Sequence, residues 1–446
     1  MTDCVVIDDA IPALAPLNDL RPTFDIRTGG LTLLERAVRV LNLRLIAAYV
    51  PAELAALTAE LHAADGLAIN CLPAKPPAAE APVLLLHARC GLPWPAIASL
   101  KLGEWVVTDD PDAPGTPFIV AALVTGAQGA ALLARIASDL RPGPDGSLRI
   151  PSANKHGAIP LASSHAAPAI ISRPWHIRVL RDAAIATDLK ILQDTLERRA
   201  ALPGCTVFGT HPLTIDTSAK VYPGSIFDLE TGPIHIGPHA VIRPGVTLIG
   251  PCIIGAGSTV LDKALIKSQT AIGPGCKVAG EICGTIFAGN ANKSHDGHLG
   301  DSYISEWANL GAGTTNSNLL NTYGDVPMKA LGQPSPERTG QHFMGCIIGD
   351  HVKLAIATRI MTGSVVHTGA MWAAGAAITG TVPRFAWVTD DAPPGMKFFR
   401  HDKFEAIAKT VMSRRDVTPG PAYLARLAAL AAGTSMPPPS NAGLSQ

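Results

Sequence analysis

The sequence predicts two unlike architectures in series: an α/β domain of alternating strands and helices, then a triangular parallel β-solenoid followed by short helices. Three observations carry this. Aliphatic residues recur every six positions through much of the second half, a spacing that no α-helix can use. Apolar runs in the first half alternate with helical patterns. Glycine (42) and proline (38) are abundant while aromatics make up only 5%, which suits many tight turns around a core of small aliphatic side chains.

The first half supplies buried-strand signals at Val5-Val6-Ile7, Leu45-Ile46-Ala47, Val83-Leu84-Leu85-Leu86 and Phe118-Ile119-Val120. Helical patterns lie between and after them, at Thr32 to Leu41, Ala52 to Ala63 and Ala130 to Ser138. This places an α/β domain at roughly 1–150, with a glycine- and proline-rich exit at Arg141 to Gly146. A linker and connector helix, Ala183 to Leu202 within 151–221, leads into the repeat. There Ile236, Ile242, Leu248, Ile254, Val260, Ile266, Ile272 and Val278 keep an unbroken period of six. Each is followed four residues on by a mostly small or β-branched partner, from Ala240 to Ile282.

The register returns at Ile304 and Leu310, then at Ile348, Leu354, Ile360, Val366, Trp372 and Ile378. Three hexapeptides make a triangular coil of about 18 residues, and coils stack at the strand spacing of about 4.8 Å. The pattern resembles the left-handed parallel β-helix of hexapeptide-repeat proteins and covers roughly 222–388. The phase slips at Gly284 to Tyr303 and again at Asn316 to Gly345, the second reading as a long loop that leaves the coil. Helices are expected at Phe404 to Met412 and Pro421 to Ala432 within 389–434, then a disordered tail over 435–446.

Composition excludes whole classes of partner. Of 446 residues, 47% are hydrophobic and 16% charged, so the chain can bury large cores. Lysine plus arginine equals aspartate plus glutamate at 36 each, which removes the broad positive field of a nucleic-acid or anionic-membrane binder. No apolar run approaches the length of a membrane span, and the start lacks a signal-peptide pattern, so a cytoplasmic protein is expected. Eight scattered cysteines form no Cys-x-x-Cys pair and read as reduced thiols.

The densest polar cluster, Asn292 to Asp301, falls on the first phase break and is followed by Asn309-Leu310-Gly311-Ala312-Gly313-Thr314 and Asn318. A phase break can lift a side chain out of the wall, so His295 is a candidate general base. An imidazole with a reference pKa of about 6.5 accepts a proton from an attacking amine or hydroxyl near neutral pH. Asn318 is its candidate orienting partner, and the amides of the Gly311 to Thr314 turn are candidate oxyanion donors. The same cluster also suits a capping turn in which His and Asp satisfy loose backbone groups.

Ile236-Gly237-Pro238-His239-Ala240-Val241-Ile242-Arg243-Pro244-Gly245, the spacing His295-x-x-x-Leu299-Gly300-Asp301, Asn309 to Thr314, Asn318 and Ile347-Ile348-Gly349-Asp350 resemble the acetyltransferase half of the bifunctional N-acetylglucosamine-1-phosphate uridylyltransferase / glucosamine-1-phosphate acetyltransferase family. With Leu20-Arg21-Pro22, Asp25-Ile26-Arg27-Thr28-Gly29 and Arg173-Pro174-Trp175-His176, the whole chain resembles a sugar nucleotidyltransferase group related to that family. The N-terminal domain is then a Rossmann-like nucleotidyltransferase domain.

The resemblance implies an acetyl-CoA-dependent sugar-phosphate acyltransferase working as a homotrimer in nucleotide-sugar biosynthesis, around UDP-N-acetylglucosamine chemistry. It implies His295 as base with Asn318 beside it, Arg243 on a substrate phosphate, Asn309 in the substrate site, and Ala312 and Ala374 as backbone contacts to acetyl-CoA. Arg21 and Arg27 are the candidate phosphate grips of the nucleotide domain, which would use Mg²⁺.

Departures accompany the likeness. Cys283 stands at the family's phosphate-binding lysine and His298 at its substrate-contacting tyrosine, leaving Lys293 or Lys329 to supply the cation. No Gly-x-Gly-Thr-Arg turn follows the first strand, where Asp8-Asp9-Ala10 stands, and Leu86-His87-Ala88-Arg89-Cys90 lacks the metal aspartate. Two rival readings stay open: a non-catalytic nucleotide-sugar-binding scaffold, and a zinc enzyme of the carbonic-anhydrase type whose ligands, His295, His298 and His342 or His351, would be contributed across a trimer interface.

Overall fold

The computed structural model describes residues 1–92, 94–110, 113–138, 158–160, 170–193, 202–390 and 397–434. The expected exit at Arg141 to Gly146 and the tail from Ser435 lie outside these residues. The N-terminal half is a seven-stranded Rossmann-like sheet of β1 (Thr2–Ile7), β2 (Leu43–Tyr49), β3 (Ala68–Ile69), β4 (Pro82–His87), β5 (Trp105–Asp110), β6 (Ala113–Thr125) and β7 (Ala158–Pro160). They lie in the order β3-β2-β1-β4-β6-β5-β7. β1 runs parallel to β2 and β4, and β6 runs antiparallel to β4 and β5.

Helices α1 (Leu33–Leu41), α2 (Ala52–Leu61), α3 (Trp94–Ala98) and α4 (Gly126–Ser138) belong to this half. α1 starts where the sequence provides a capping box: Thr32 and Glu35 exchange side-chain and backbone hydrogen bonds. It stops at Asn42, which takes a left-handed φ of 51°. Val83 to Leu86 are buried because core clusters form on both faces of the sheet, which explains a continuous apolar run where alternation would mark a half-exposed strand.

From Thr206 onward the chain winds into a left-handed parallel β-helix with walls of ten, six and nine strands. All eight period-six aliphatics from Ile236 to Val278 have no exposed surface. Val241 pairs with Thr259, eighteen residues on. The slips are just as visible. Val278 pairs with Lys293, a coil three residues short, whereas Tyr303 pairs with Ile347 because one coil carries the excursion that holds an antiparallel pair, Pro327–Met328 with Glu337–Arg338. Trp372 takes an inward register opposite Leu354 but stays half-buried, its indole donating to Ala376 O at 3.1 Å. The following coil is shorter, pairing Val365 with Thr381.

The two halves pack directly. Outward residues of the nine-stranded wall, Ile253, Ala271, Ile286, Tyr303, Ile347 and Val365, share a core with Leu14, Leu17 and Ile26 and with α5 (His176–Gln193). The connector helix therefore starts seven residues before its expected Ala183, at the Arg173-Pro174-Trp175 turn, and residues 194–201 lie outside the described set. After the coil, α6 (His401–Ser413) and α7 (Pro421–Ala432) return to the first domain. Phe404, Met412 and Leu427 join a core with Leu54, Leu57 and Trp307. The Glu60 carboxylate accepts from the amides of Ala422 and Tyr423 at the α7 N-terminus, at 2.9 and 3.0 Å.

Candidate active-site groove

The β-helix builds the site by stacking. On the ten-stranded wall Lys277 pairs with Asn292, Asn292 with Asn309 and Asn309 with Lys353, so four polar residues form one outward column. Asn292 Nδ2 donates to Asn309 Oδ1 at 2.9 Å, and Ser294 Oγ donates to Asn292 Oδ1 at 2.7 Å. The short coil then turns at Ser294 to Gly297, lifting His295 into solvent beside the column. Together with Trp307 and the C-terminal end of α6, these residues line a groove of about 470 Å³. Among the described residues the His295 ring takes no hydrogen bond, and it lines the groove.

Lys293 holds this turn from beneath. It occupies an inward position normally given to an aliphatic residue and is fully buried. Its Nζ donates to the carbonyls of His295 and Asp296, both at 2.8 Å, and burial pulls the ammonium down to about 8. Lys293 is thus a strut for the histidine turn and is not placed to touch a substrate, a correction to its expected role. Gly297 closes the turn at φ 113°, where a Cβ would lie 2.2 Å from Thr314 O of the next coil. The Gly311 to Thr314 turn therefore stacks directly against the His295 turn. Its Gly311 and Thr314 amides are committed to Leu354 O and Gly311 O, while Ala357 donates to Ala312 O. Only the Ala312 and Gly313 amides remain as oxyanion donors there.

Other expected residues fall elsewhere. Asn318 does not bond His295; its Nδ2 donates to Asp301 Oδ2 at 2.8 Å, and Asp301 in turn binds Arg178 and Arg181 of α5. His298 lies on the six-stranded wall with Nδ1 3.5 Å from Glu281 Oε1. Arg243 stacks on Tyr222 at 4.8 Å and pairs with Asp262 at 3.2 Å, so surface partners hold it. Lys329 bonds Pro334 O within the excursion. Ala374 is half-buried in the turn after Trp372. Asn309 alone joins His295 in the groove.

Within one chain the four zinc candidates are not brought together. His351 is buried, stacked at 6.2 Å on Trp307 and 2.8 Å from Tyr423 Oη, while His342 sits on the excursion near Asp325. Among the described residues no three metal-binding side chains of one chain converge.

The nucleotide site is corrected further. Arg21 is a buried strut: its guanidinium grips Asp350 of the β-helix at 2.7 and 3.2 Å and also donates to Leu17 O. Arg27 Nε donates to Ala288 O at 2.9 Å, and its NH1 donates to Gly30 O, pinning the first domain to the nine-stranded wall. Guanidinium suits a carboxylate or a carbonyl as well as a phosphate, which is why sequence alone misassigned both.

At the end of β1, Asp8 accepts from the amides of Ala10 and Thr23, and Asp9 is 2.7 Å from Arg89, with both carboxylates and the guanidinium buried. Burial and the neighbouring Asp9 raise Asp8 to about 7. Beside them the crevice at the strand ends is filled by Phe24, Leu34 and Trp94, leaving a cavity of about 10 Å³. Among the described residues this cavity is far too small for a nucleoside triphosphate.

Sequence reasoning missed Lys277, Lys353, Arg414 and Arg415, all of which line the groove. The two lysines were legible: each immediately precedes an inward aliphatic, Val278 or Leu354, and so must point outward. The arginines depend on helix docking that no local pattern encodes.

Residues 4–197 match the sugar nucleotidyl transferase family. The chain is 24% identical over 219 residues to the bifunctional protein GlmU of Cyanothece sp., covering 45% of this chain and 44% of that one. It is 28% identical over 233 residues to the bifunctional protein GlmU of Exiguobacterium sp., covering 49% and 44%. The match thus spans less than half the length of these relatives. A solved structure of the polySia specific acetyltransferase NeuO aligns with 48% of this chain and 99% of its own at 14% identity and a TM-score of 0.24. The chain thus joins a region similar to the sugar nucleotidyl transferase family, over residues 4–197, to a parallel β-helix, and is similar in part to the GlmU proteins.

Proposed function

We propose that this protein transfers an acetyl group from acetyl-CoA to an amino or hydroxyl group of a sugar phosphate, in the groove beside His295. One observation carries the reading: an unpartnered imidazole stands exposed on a turn fixed from below by Lys293, next to a ladder of asparagines. The relation to the GlmU group supports transferase chemistry. In the proposed step His295 takes the proton of the acceptor as its nitrogen or oxygen attacks the thioester carbonyl. The tetrahedral oxyanion is met by the free Ala312 or Gly313 amide, and its collapse expels the CoA thiolate, which recovers the proton from the imidazolium.

The filled crevice favours a second reading for the first domain alone: a clamp on the β-helix, held by Arg21, Arg27 and the Glu60 contact to α7, without nucleotide turnover. The proposed setting is the cytoplasm, in nucleotide-sugar biosynthesis. Among the described residues no helix is long and apolar enough to cross a membrane. The proposed assembly is a homotrimer. The nine-stranded wall is already covered by the chain itself, so such a trimer must use the remaining surfaces; light scattering of a strict monomer would contradict it.

The test is acetyl-CoA turnover over a panel of amino-sugar phosphates. His295→Ala should lower the rate by at least about a hundredfold with folding intact. An unchanged rate removes His295 from the chemistry.

A further inference from the structure

Basic side chains gather in the groove. Lys277 and Lys353 stand at the two ends of the asparagine ladder, three strand steps or about 14 Å apart. Arg414 and Arg415 reach the same groove from the end of α6, with Arg415 docked onto Gly275 O at 2.7 Å. No carboxylate lines the groove, and among the described residues none of these four cations has an ion-pair partner. Arg21, Arg36, Arg89, Arg243 and Arg384 are each paired with a carboxylate, and the formal net charge of the whole protein is zero. Four unpaired cations converging on one concave, amide-lined surface form a site for a phosphorylated ligand: cations meet phosphate, and Asn292, Asn309 and Ser294 offer donors and acceptors to hydroxyls.

We propose that helix α6 completes the substrate site, with Arg414 and Lys277 holding a phosphate monoester of the ligand. The placement of that ligand beside His295 rests on the proposed acetyl transfer, whereas the anion site itself does not. The chemistry is a phosphate monoester, and two reactants carry one: a sugar phosphate acceptor and the 3′-phosphate of CoA. Lys353 is committed to Trp307 O at 2.6 Å and Arg415 to Gly275 O, so the exposed Lys277 and Arg414 are the residues to change.

The experiment measures binding to the full-length protein by calorimetry with two matched pairs: glucosamine 1-phosphate against glucosamine, and CoA against dephospho-CoA. Wild type should bind the phosphorylated member of at least one pair tighter, more so at low salt. Lys277→Gln and Arg414→Gln should each weaken that member roughly tenfold and leave its phosphate-free partner unchanged. Lys220→Gln, an exposed lysine three strands beyond Lys277 on the same wall and outside the groove, should change nothing. The pair that responds identifies the source of the phosphate. The proposal is overturned if neither phosphorylated probe outbinds its partner, or if both variants bind like wild type while melting like it. Binding lost in the variants without any acetyl transfer by wild type sinks the proposed reaction and keeps the anion site. Full transfer with unaltered binding in both variants does the reverse.

Discussion

Removing one guanidinium tests whether the first domain grips nucleotide or clamps the solenoid. Arg21 is 7% exposed and its partner Asp350 not at all, with the two joined by bonds of 2.7 and 3.2 Å. Asp350 Oδ1 also accepts from Glu306 N at 3.0 Å. Arg21→Met strands a buried carboxylate, which should cost about 3–5 kcal/mol at neutral pH. Burial already pushes Asp350 up to about 6, so without its partner it escapes the penalty by taking a proton, and the cost should shrink from pH 8 to pH 5. The double variant Arg21→Met/Asp350→Asn removes the charge yet keeps the Glu306 acceptor, and it should recover most of the loss. Urea denaturation followed through the buried Trp175 and Trp307 reads both quantities. A solvated phosphate-gripping arginine would cost less than about 0.5 kcal/mol on truncation. A single variant that stable, or a double variant no better than the single, would refute the clamp.

Two further outcomes follow from particular residues. Gly297→Ala must displace either its own turn or Thr314 O, so it should lower stability by about 1–3 kcal/mol and cut acetyl transfer more than tenfold, read by melting and turnover. An unperturbed variant would mean the His295 turn is looser than its packing implies. His367 is buried with neither ring nitrogen hydrogen-bonded, and burial lowers it to about 4. The unfolded chain therefore protonates first, so this contribution is whole above about pH 6.5 and drains away by about pH 4. Wild type should lose about 3 kcal/mol more than His367→Gln across that window. Parallel pH profiles for the two proteins would count against the assignment.

How much could be read in advance follows from which forces are local. A period of six and the burial of each large aliphatic are two views of one geometry, so the coil from Ile236 to Val278 was legible residue by residue. The phase slip at Gly284 to Tyr303 marked where the wall opens, and His295 sits there. The role of Lys293 was not legible, because a lysine in an inward register is expected to break the core unless its ammonium finds carbonyls, and only the fold shows that it does. Arg21 and Asp350 are 329 positions apart, and nothing in either neighbourhood announces the other. Asn318 was misjudged for a related reason: its amide is captured by Asp301 across a coil, a contact set by how tightly the excursion re-enters. Helix α6 was expected as a helix, but its contribution of Arg414 to the groove depends on docking against the ten-stranded wall.

The most direct measurement is the structure of crystals soaked with CoA. The coenzyme's thiol is expected in the groove beside Asn292 and Asn309, within hydrogen-bond reach of the His295 ring and with a phosphate against Arg414 or Lys277. Coenzyme bound away from that imidazole would contradict the proposed transfer.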